Sequence, residues 1–310
     1  MHRLQDARRD PRETTRLNPA VYRGRFAPSP TGPLHFGSLV AALGSFLQAR
    51  ARHGEWLVRI DDLDSGRNRS GAADDILRTL DALGLHADGA IARQSERRSH
   101  YLDALADLRR RDLIFDCGCT RRETVNRPYP GTCRGGLPSG RRSRSLRLKI
   151  PDGEFAIRDA IQGEFHQNLR SVTGDIVVRR ADGVIAYHLA TVIDDALQGV
   201  SEVVRGADLL DTTPCQALLA RMLGFGPPAY AHLPVAVDQA GRKLSKQNDA
   251  PALDSRRPSL ALARALAFLG HAPPPALAGA PCRDLLEWGM AAWSLDRVPK
   301  QRAVSVPAAY

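Results

Sequence analysis

The segment Pro28–Ser38 reads PSPTGPLHFGS, and the chain on either side of it decides the fold. Upstream, VYRGRFAP has strand character, with Tyr22 and Phe26 flanking Gly24 and prolines stopping the run. Downstream, HFGSLVAALGSFLQARARHG places apolar residues at Leu39, Leu43, Phe46 and Leu47, a helical spacing that Gly54 ends. A second strand, EWLVRI, runs into the acidic turn Asp61-Asp62-Leu63-Asp64. Amphipathic helices follow near Ala72–Leu83 and His100–Arg111. Strand, helix, strand, helix predicts an α/β fold with a Rossmann-like parallel sheet covered by helices.

From Phe115 to about Leu169 the composition shifts to Gly, Pro, Cys and Arg, with short strand-like pieces such as LRLKI. This stretch reads as an insertion between two halves of the α/β domain. Periodicity resumes with DIVVRR, GVIAYHLATVIDDALQGV, the strand EVVRG and the helix TTPCQALLARMLGF, capped by Thr212 or Thr213. AYAHLPVAV is a further strand and DQAGRKLSKQN an exposed loop. PSLALARALAFLG and RDLLEWGMAAW form two closing helices. The expected organisation is a disordered basic leader at 1–20, a first catalytic half at 21–114 and an insertion at 115–170. A second half with the lysine loop follows at 171–250, then a short helical segment at 251–310.

The net charge is +10, with forty arginines against four lysines, and it fits a polyanionic partner such as RNA. No stretch approaches the ~20 apolar residues of a membrane span, and the N-terminus lacks the apolar core of a secretory signal. Five cysteines, three of them clustered, suit a reducing cytoplasm and a metal site better than a disulfide framework.

A strand that turns into a helix N-terminus builds an anion site, because unpaired N–H groups and the helix dipole face outward. The turn here lacks the glycine patterns of dinucleotide and P-loop sites. It offers His35-Phe36-Gly37-Ser38 instead, an imidazole and a hydroxyl around a glycine that permits close backbone approach. Taken alone, a histidine beside a helix start serves as a cap. Far downstream, Lys243-Leu244-Ser245-Lys246 holds two of the four lysines, compact point charges in a chain that otherwise uses arginine.

Together and in this order, the two motifs resemble the HIGH and KMSKS signatures of class I aminoacyl-tRNA synthetases. The stretches RFAPSPTG (25–32), RIDDLD (59–64) and RGADLL (205–210) are similar to those of glutamyl-tRNA synthetases, and the similarity runs from about Tyr22 to Asn248. The resemblance implies attack of the glutamate α-carboxylate on the α-phosphorus of ATP, which brings Mg²⁺ with it. It places His35, Ser38, Lys243 and Lys246 in the catalytic set, with His35, Gly37 and Lys246 on ATP. Ser38 stands where the family commonly has a second histidine.

Glutamate brings two carboxylates and an ammonium, for which two arginines and one acid are the economical complement. By similarity these are Arg25, Arg205 and Asp61, with Ala27, Ser29 and Tyr187 beside them; either arginine can take the side-chain carboxylate. Asp61 replaces the glutamate usual in this motif and reaches less far. Arg205, ending an apolar strand, is also a site candidate by position, since strand ends in open α/β sheets border ligand crevices. Read without the resemblance, Arg59 and Asp62 pair on the surface and Tyr187 packs in the core.

Cys117, Cys119 and Cys133 supply three thiolates for a tetrahedral zinc site. Asp116, Glu123 and Tyr129 are the candidates for a fourth ligand, and the resemblance favours Tyr129. Cys215 and Cys282 fall on helices and are expected in the core. The segment Arg134–Lys149 carries six basic residues and no acid, which suits contact with a tRNA backbone.

After Lys246 the chain continues only to Tyr310, leaving no room for a helical anticodon-binding domain. With the cysteine cluster, this resembles the short paralogue family of glutamyl-queuosine tRNA(Asp) synthetases. These activate glutamate without tRNA and esterify it to the queuosine base in the tRNA(Asp) anticodon. The expected partners are L-glutamate, ATP and queuosine-bearing tRNA(Asp), met by a cytoplasmic monomer without membrane contact. Two other readings stay open: a truncated synthetase charging the 3′ end of tRNA(Glu), and a zinc-bearing RNA-binding protein with an inactive nucleotide site.

Overall fold

The computed structural model describes residues 21–125, 128–244, 251–254 and 256–306. The leader expected at 1–20 and Lys246 lie outside the described residues. The first half runs β1 (Arg23–Phe26), α1 (Phe36–Ala51), β2 (Glu55–Ile60), α2 (Ala72–Ala82), β3 (Ala92–Arg93) and α3 (Arg98–Arg110). Its sheet has the order β1-β2-β3 with both pairs parallel. The middle contributes β4 (Ile114–Cys117), α4 (Arg121–Thr124), β5 (Ser145–Leu148), β6 (Glu154–Asp159), β7 (Gly163–Asn168), α5 (Leu169–Val172) and β8 (Val177–Arg179). The second half adds α6 (Tyr187–Leu197), β9 (Glu202–Gly206), α7 (Thr213–Met222), β10 (Ala229–Leu233) and β11 (Val235–Val237). Helices α8 (Pro258–Phe268) and α9 (Cys282–Ala292) and strand β12 (Ala303–Ser305) close the described chain.

Strand β9 pairs in parallel with β10, and its entry is bonded to β1, where Ser201 donates its N–H to Arg23 O at 3.0 Å. The ends of β1, β2 and β9 therefore converge, carrying Arg25, Asp61 and Arg205 toward one place.

Two features go beyond the sequence pattern. Within and beyond the 115–170 stretch, β4 and β5 pair antiparallel with each other and β5 with β8. The β6–β7 hairpin instead joins the second-half sheet, in the order β7-β6-β10-β9. Its polar alternation, with every second residue exposed along Glu154–Ile157, hides it in a basic, glycine-rich context. Helix α1 is also buried on more than one face: Val40, Ala42, Gly44, Ser45 and Gln48 are covered as well as the expected leucines. Leu262, Leu266, Leu285 and Trp293 from α8, α9 and the turn beyond share one core with Leu43 and Leu47, and Trp293 Nε1–H donates to Gln48 Oε1 at 2.9 Å. Gly44 is required where α1 meets β10, because a Cβ there would lie 2.5 Å from Leu233 Cδ1. Each large aliphatic side chain so buried contributes about 1.5–3 kcal/mol, so the C-terminal helices are part of the catalytic half's core.

Candidate active site

A cavity of about 670 Å³ opens where these elements meet. Its floor is the end of β1, with Arg25, Ala27 and Ser29, and its walls are Asp61 after β2, Tyr187 on α6 and Arg205 on β9. The HFGS turn supplies His35, Gly37 and Ser38, and Lys243 closes the rim. Every site residue expected from the sequence for glutamate or ATP, Lys246 apart, thus borders one cavity.

His35 is the N-cap of α1, its Nδ1 accepting the Ser38 N–H at 3.3 Å. The first turn of α1 contains no acidic residue, so its dipole is left to an anion. A Cβ on Gly37 would stand 3.2 Å from Leu244 O, which shows how closely the chain before residue 245 approaches the turn. On the far side of that segment, Ala252 bridges to His35 and Leu253 N–H donates to Leu34 O at 3.0 Å. Lys243 Nζ–H donates to Asp208 Oδ2 at 2.6 Å, just beyond β9.

The two arginines are held in different ways. Arg25, 4% exposed, donates from Nε and Nη2 to the Asp195 carboxylate at 3.2–3.3 Å. Arg205, 5% exposed, has neutral partners among the described residues: His232 Nε2 at 3.1 Å, Thr213 Oγ1 at 2.7 Å, and Tyr187 Oη and Leu209 O at 3.5 Å. Arg59 is fully buried, donating from Nε to Asp61 Oδ1 and from Nη1 to Asp195 Oδ1 and Gln198 Oε1, each at 2.8 Å. The expected surface pair of Arg59 with Asp62 is therefore corrected. Asp62 instead accepts from the N–H and Oγ–H of Ser95 at 2.8 and 2.7 Å, pinning the turn after β3. Tyr187 is 42% exposed at the cavity and does not pack in the core, because it is the first residue of α6.

Burial lifts the Asp61 carboxyl to about 6 although Arg59 opposes it, with Asp194 and Asp195 adding smaller upward pushes. Asp195 is held below the usual carboxylate range: burial would raise it, but Arg25 and Arg59 outweigh that. Asp194 accepts from Gln94 and Tyr101 at 2.8 Å and from Arg97 at 2.7 Å. Asp194, Asp195 and the buried Thr191 hydroxyl, which borders the cavity without a hydrogen-bond partner among the described residues, are not singled out by sequence reading. A signal exists: two adjacent carboxylates inside the apolar run VIDDAL of a buried helix demand cationic partners.

The cysteine cluster forms a second centre. The three sulfur atoms lie within 4.8 Å of one another, with Cys119 and Cys133 Sγ 3.8 Å apart. Two thiolates on a tetrahedral zinc, each about 2.3 Å from it, stand about 3.8 Å apart, so the donor set fits. Tyr129 Oη sits 3.4 Å from Cys117 Sγ and 3.8 Å from Cys119 Sγ, and accepts the Cys133 N–H at 2.9 Å. Asp116 is engaged by Ser143 and Arg109, and Glu123 forms a capping box with Thr120 and pairs with Arg141. Burial raises the Cys117 thiol, but hydrogen bonds from Tyr129 and Cys119 and the adjacent Arg147 bring it below the usual value.

The basic stretch is less open than its sequence implies. Arg147 is buried, with its guanidinium 3.9 Å over the Tyr129 ring, and Arg134 pairs with buried Asp175. Arg141, Arg142 and Arg144 are the exposed remainder. Cys215 is buried in the core, whereas Cys282 is only partly buried at the start of α9.

The family "tRNA synthetases class I (E and Q), catalytic domain" matches residues 22–127 and 138–273. The chain is 53% identical over 297 residues to the glutamyl-Q tRNA(Asp) synthetase of Dechloromonas aromatica (strain RCB), covering 93% of this chain and 99% of that protein. It is 50% identical over 300 residues to the protein of the same name from Thiobacillus denitrificans, covering 94% and 100%. Among solved structures it is similar to the glutamate-tRNA synthetase of Elizabethkingia anophelis, with TM-score 0.77 and 26% identity over 93% of this chain and 68% of that one. A glutamate tRNA ligase from Elizabethkingia meningosepticum in complex with its amino acid gives TM-score 0.76 and 26% identity, covering 93% and 67%.

Proposed function

Because this chain belongs to the class I tRNA synthetase family for glutamate and glutamine, we propose that it activates L-glutamate with ATP and transfers it to the queuosine base of tRNA(Asp). The observation that carries the reading is the single cavity in which Arg25, Arg205 and Asp61 face the capped N-terminus of α1. Among the described residues Arg25 and Arg59 are matched by Asp195 and Asp61, and Lys243 by Asp208, whereas Arg205 has no carboxylate partner and carries an uncompensated positive charge. Glutamate carries a net charge of about −1 at neutral pH, which that excess complements. Its carboxylates meet Arg25 and Arg205, its ammonium meets Asp61, and Ser29, Tyr187 and the Thr191 hydroxyl supply hydrogen bonds.

ATP lies with its phosphates toward Gly37 and the start of α1. The glutamate α-carboxylate attacks the α-phosphorus, pyrophosphate leaves with Mg²⁺, and His35 and Lys246 stabilise the spread charge. Glutamate-dependent ATP–pyrophosphate exchange without tRNA tests this. Exchange by the wild-type protein supports the assignment; none with zinc-replete protein overturns it, in favour of a non-catalytic RNA-binding role. The protein acts in the cytoplasm as a monomer, and among the described residues no helix is long and apolar enough to cross a membrane. The exposed Arg141, Arg142 and Arg144 meet the tRNA backbone.

Asp61 must be ionised to hold the ammonium. With its carboxyl near 6, the KM for glutamate is lowest above about pH 7 and rises as pH falls through 6, approaching tenfold per pH unit. Asp61→Asn flattens this profile at a high KM. An unchanged acid limb in that variant removes Asp61 from ammonium binding.

Cys117, Cys119, Cys133 and Tyr129 would hold a structural zinc that ties the β4 end to the following loop. Metal analysis checks this: wild-type protein retains one zinc per chain, Cys119→Ser with Cys133→Ser retains none, and Tyr129→Phe loses zinc to chelators about 10–100-fold faster. Equal zinc content in all of them contradicts the site.

A further inference from the structure

Arg205 on β9 is paired across the sheet with His232 on β10, and His232 lies beside Asp159 at the end of β6. His232 is fully buried and Asp159 is 3% exposed, so neither meets solvent or borders the cavity. Arg205 Nε–H donates to His232 Nε2 at 3.1 Å, while His232 Nδ1 lies 2.5 Å from Asp159 Oδ2. An arginine Nε–H only donates, so Nε2 must present its lone pair and the imidazole proton must sit on Nδ1. Asp159 secures that tautomer, because a carboxylate can only accept.

The other Asp159 oxygen is fully committed. Oδ1 accepts three backbone N–H groups, from Ile161 at 3.0 Å, Gln162 at 2.8 Å and His232 at 3.1 Å. The carboxylate therefore cannot rotate, and its second oxygen points at Nδ1. Arg25, by contrast, is oriented by the charged Asp195.

We propose that Asp159 and His232 are positioning residues for Arg205, fixing its guanidinium through a neutral imidazole so that its charge is left for the substrate. This rests on reading the cavity as the glutamate site. A carboxylate in the place of His232 would fix Arg205 equally well but would cancel its charge.

Asp159→Asn is the decisive variant, since the shape of the side chain is kept. The three backbone donors hold the amide oxygen at the Oδ1 place, so the NH₂ group faces His232 Nδ1 and donates to it. The imidazole proton then moves to Nε2, where it opposes the Arg205 Nε–H, and the guanidinium is held only at its Nη ends, by Thr213, Leu209 and Tyr187. Glutamate-dependent pyrophosphate exchange is measured for wild type, Asp159→Asn, His232→Leu and the double variant, with urea midpoints alongside. The expected result is a rise of about 10–100-fold in the KM for glutamate in each single variant, the scale of one hydrogen bond to a charged group. The KM for ATP and kcat stay within about twofold. In the His232→Leu background, Asp159→Asn adds less than about twofold, because no tautomer is left to reverse.

A KM for glutamate unchanged in Asp159→Asn overturns the proposal. So does an Asp159→Asn penalty of equal size in both backgrounds, or one that follows the urea midpoint and falls equally on ATP. The Asp159→Asn arm decides by itself if the leucine variant does not fold. Wild-type protein without glutamate-dependent exchange overturns the glutamate assignment and this inference with it, a result distinct from normal exchange with unaffected variants.

Discussion

Replacing Lys246 with alanine lowers glutamate-dependent pyrophosphate exchange by about 10²–10³-fold while leaving the KM for glutamate within about twofold. The adenylate-forming step concentrates negative charge on the α-phosphate oxygens and on departing pyrophosphate, and a lysine ammonium is a compact charge able to follow it. Residues on both sides of 245–250 are held against the HFGS turn, Leu244 through its carbonyl beside Gly37 and Ala252 through its bridge to His35. In the proposed site glutamate meets Arg25, Arg205 and Asp61, which line the same cavity, so its ground-state binding is not expected to depend on that loop. An interaction made only in the transition state appears in kcat and not in KM. Steady-state exchange over a range of glutamate and ATP concentrations separates the two, and an unchanged rate removes Lys246 from the mechanism.

Arg59→Leu destabilises the fold by about 3–5 kcal/mol at neutral pH, the usual consequence of leaving buried charges without their partner. Arg59 is fully buried, and its guanidinium joins Asp61 to Asp195, with Asp194 at 3.7 Å. Without it, among the described residues, Asp61 has no ion-pair partner and Asp195 keeps only Arg25. Burial then drives the folded-state carboxyl values above their unfolded ones. A group whose folded value is raised is tolerated below its unfolded value and costs stability as pH rises through the folded one. The Arg59→Leu deficit is therefore smallest near pH 4–5 and grows toward pH 8. Urea unfolding at both ends of this range checks it; a small deficit independent of pH means that Arg59 does not hold the carboxylates.

Much of the fold is legible in the order of apolar runs. The strands Arg23–Phe26 and Glu55–Ile60 and the helix that follows the HFGS turn are short-range patterns with a hydrophobic period, and the structure has them where the sequence places them. The β6–β7 hairpin is not legible, because one of its faces is polar and its pairing partner β10 lies some seventy residues away. Most of the cavity-lining residues are legible because they cluster in short motifs, RFAPSPTG, HFGS, RIDDLD, RGADLL and KLSK. Their supports are not: Asp195 meets Arg25 across 170 positions, and Asp159 meets His232 across 73. A single buried carboxylate carries no local signal of the cation or imidazole that the fold will bring to it. Arg59 shows the same limit, since its place between Asp61 and Asp195 depends on how α6 packs behind β2.

The acceptor of glutamate is tested most directly by transfer to tRNA. Purified protein, ATP, Mg²⁺ and labelled glutamate are incubated with tRNA(Asp) bearing queuosine and with the same tRNA lacking it, and nuclease fragments are separated. Label is expected only on the queuosine-bearing tRNA(Asp), in the anticodon fragment. Label on the 3′-terminal fragment, or equal labelling of tRNA without queuosine, would contradict the queuosine assignment and identify a conventional aminoacylating enzyme.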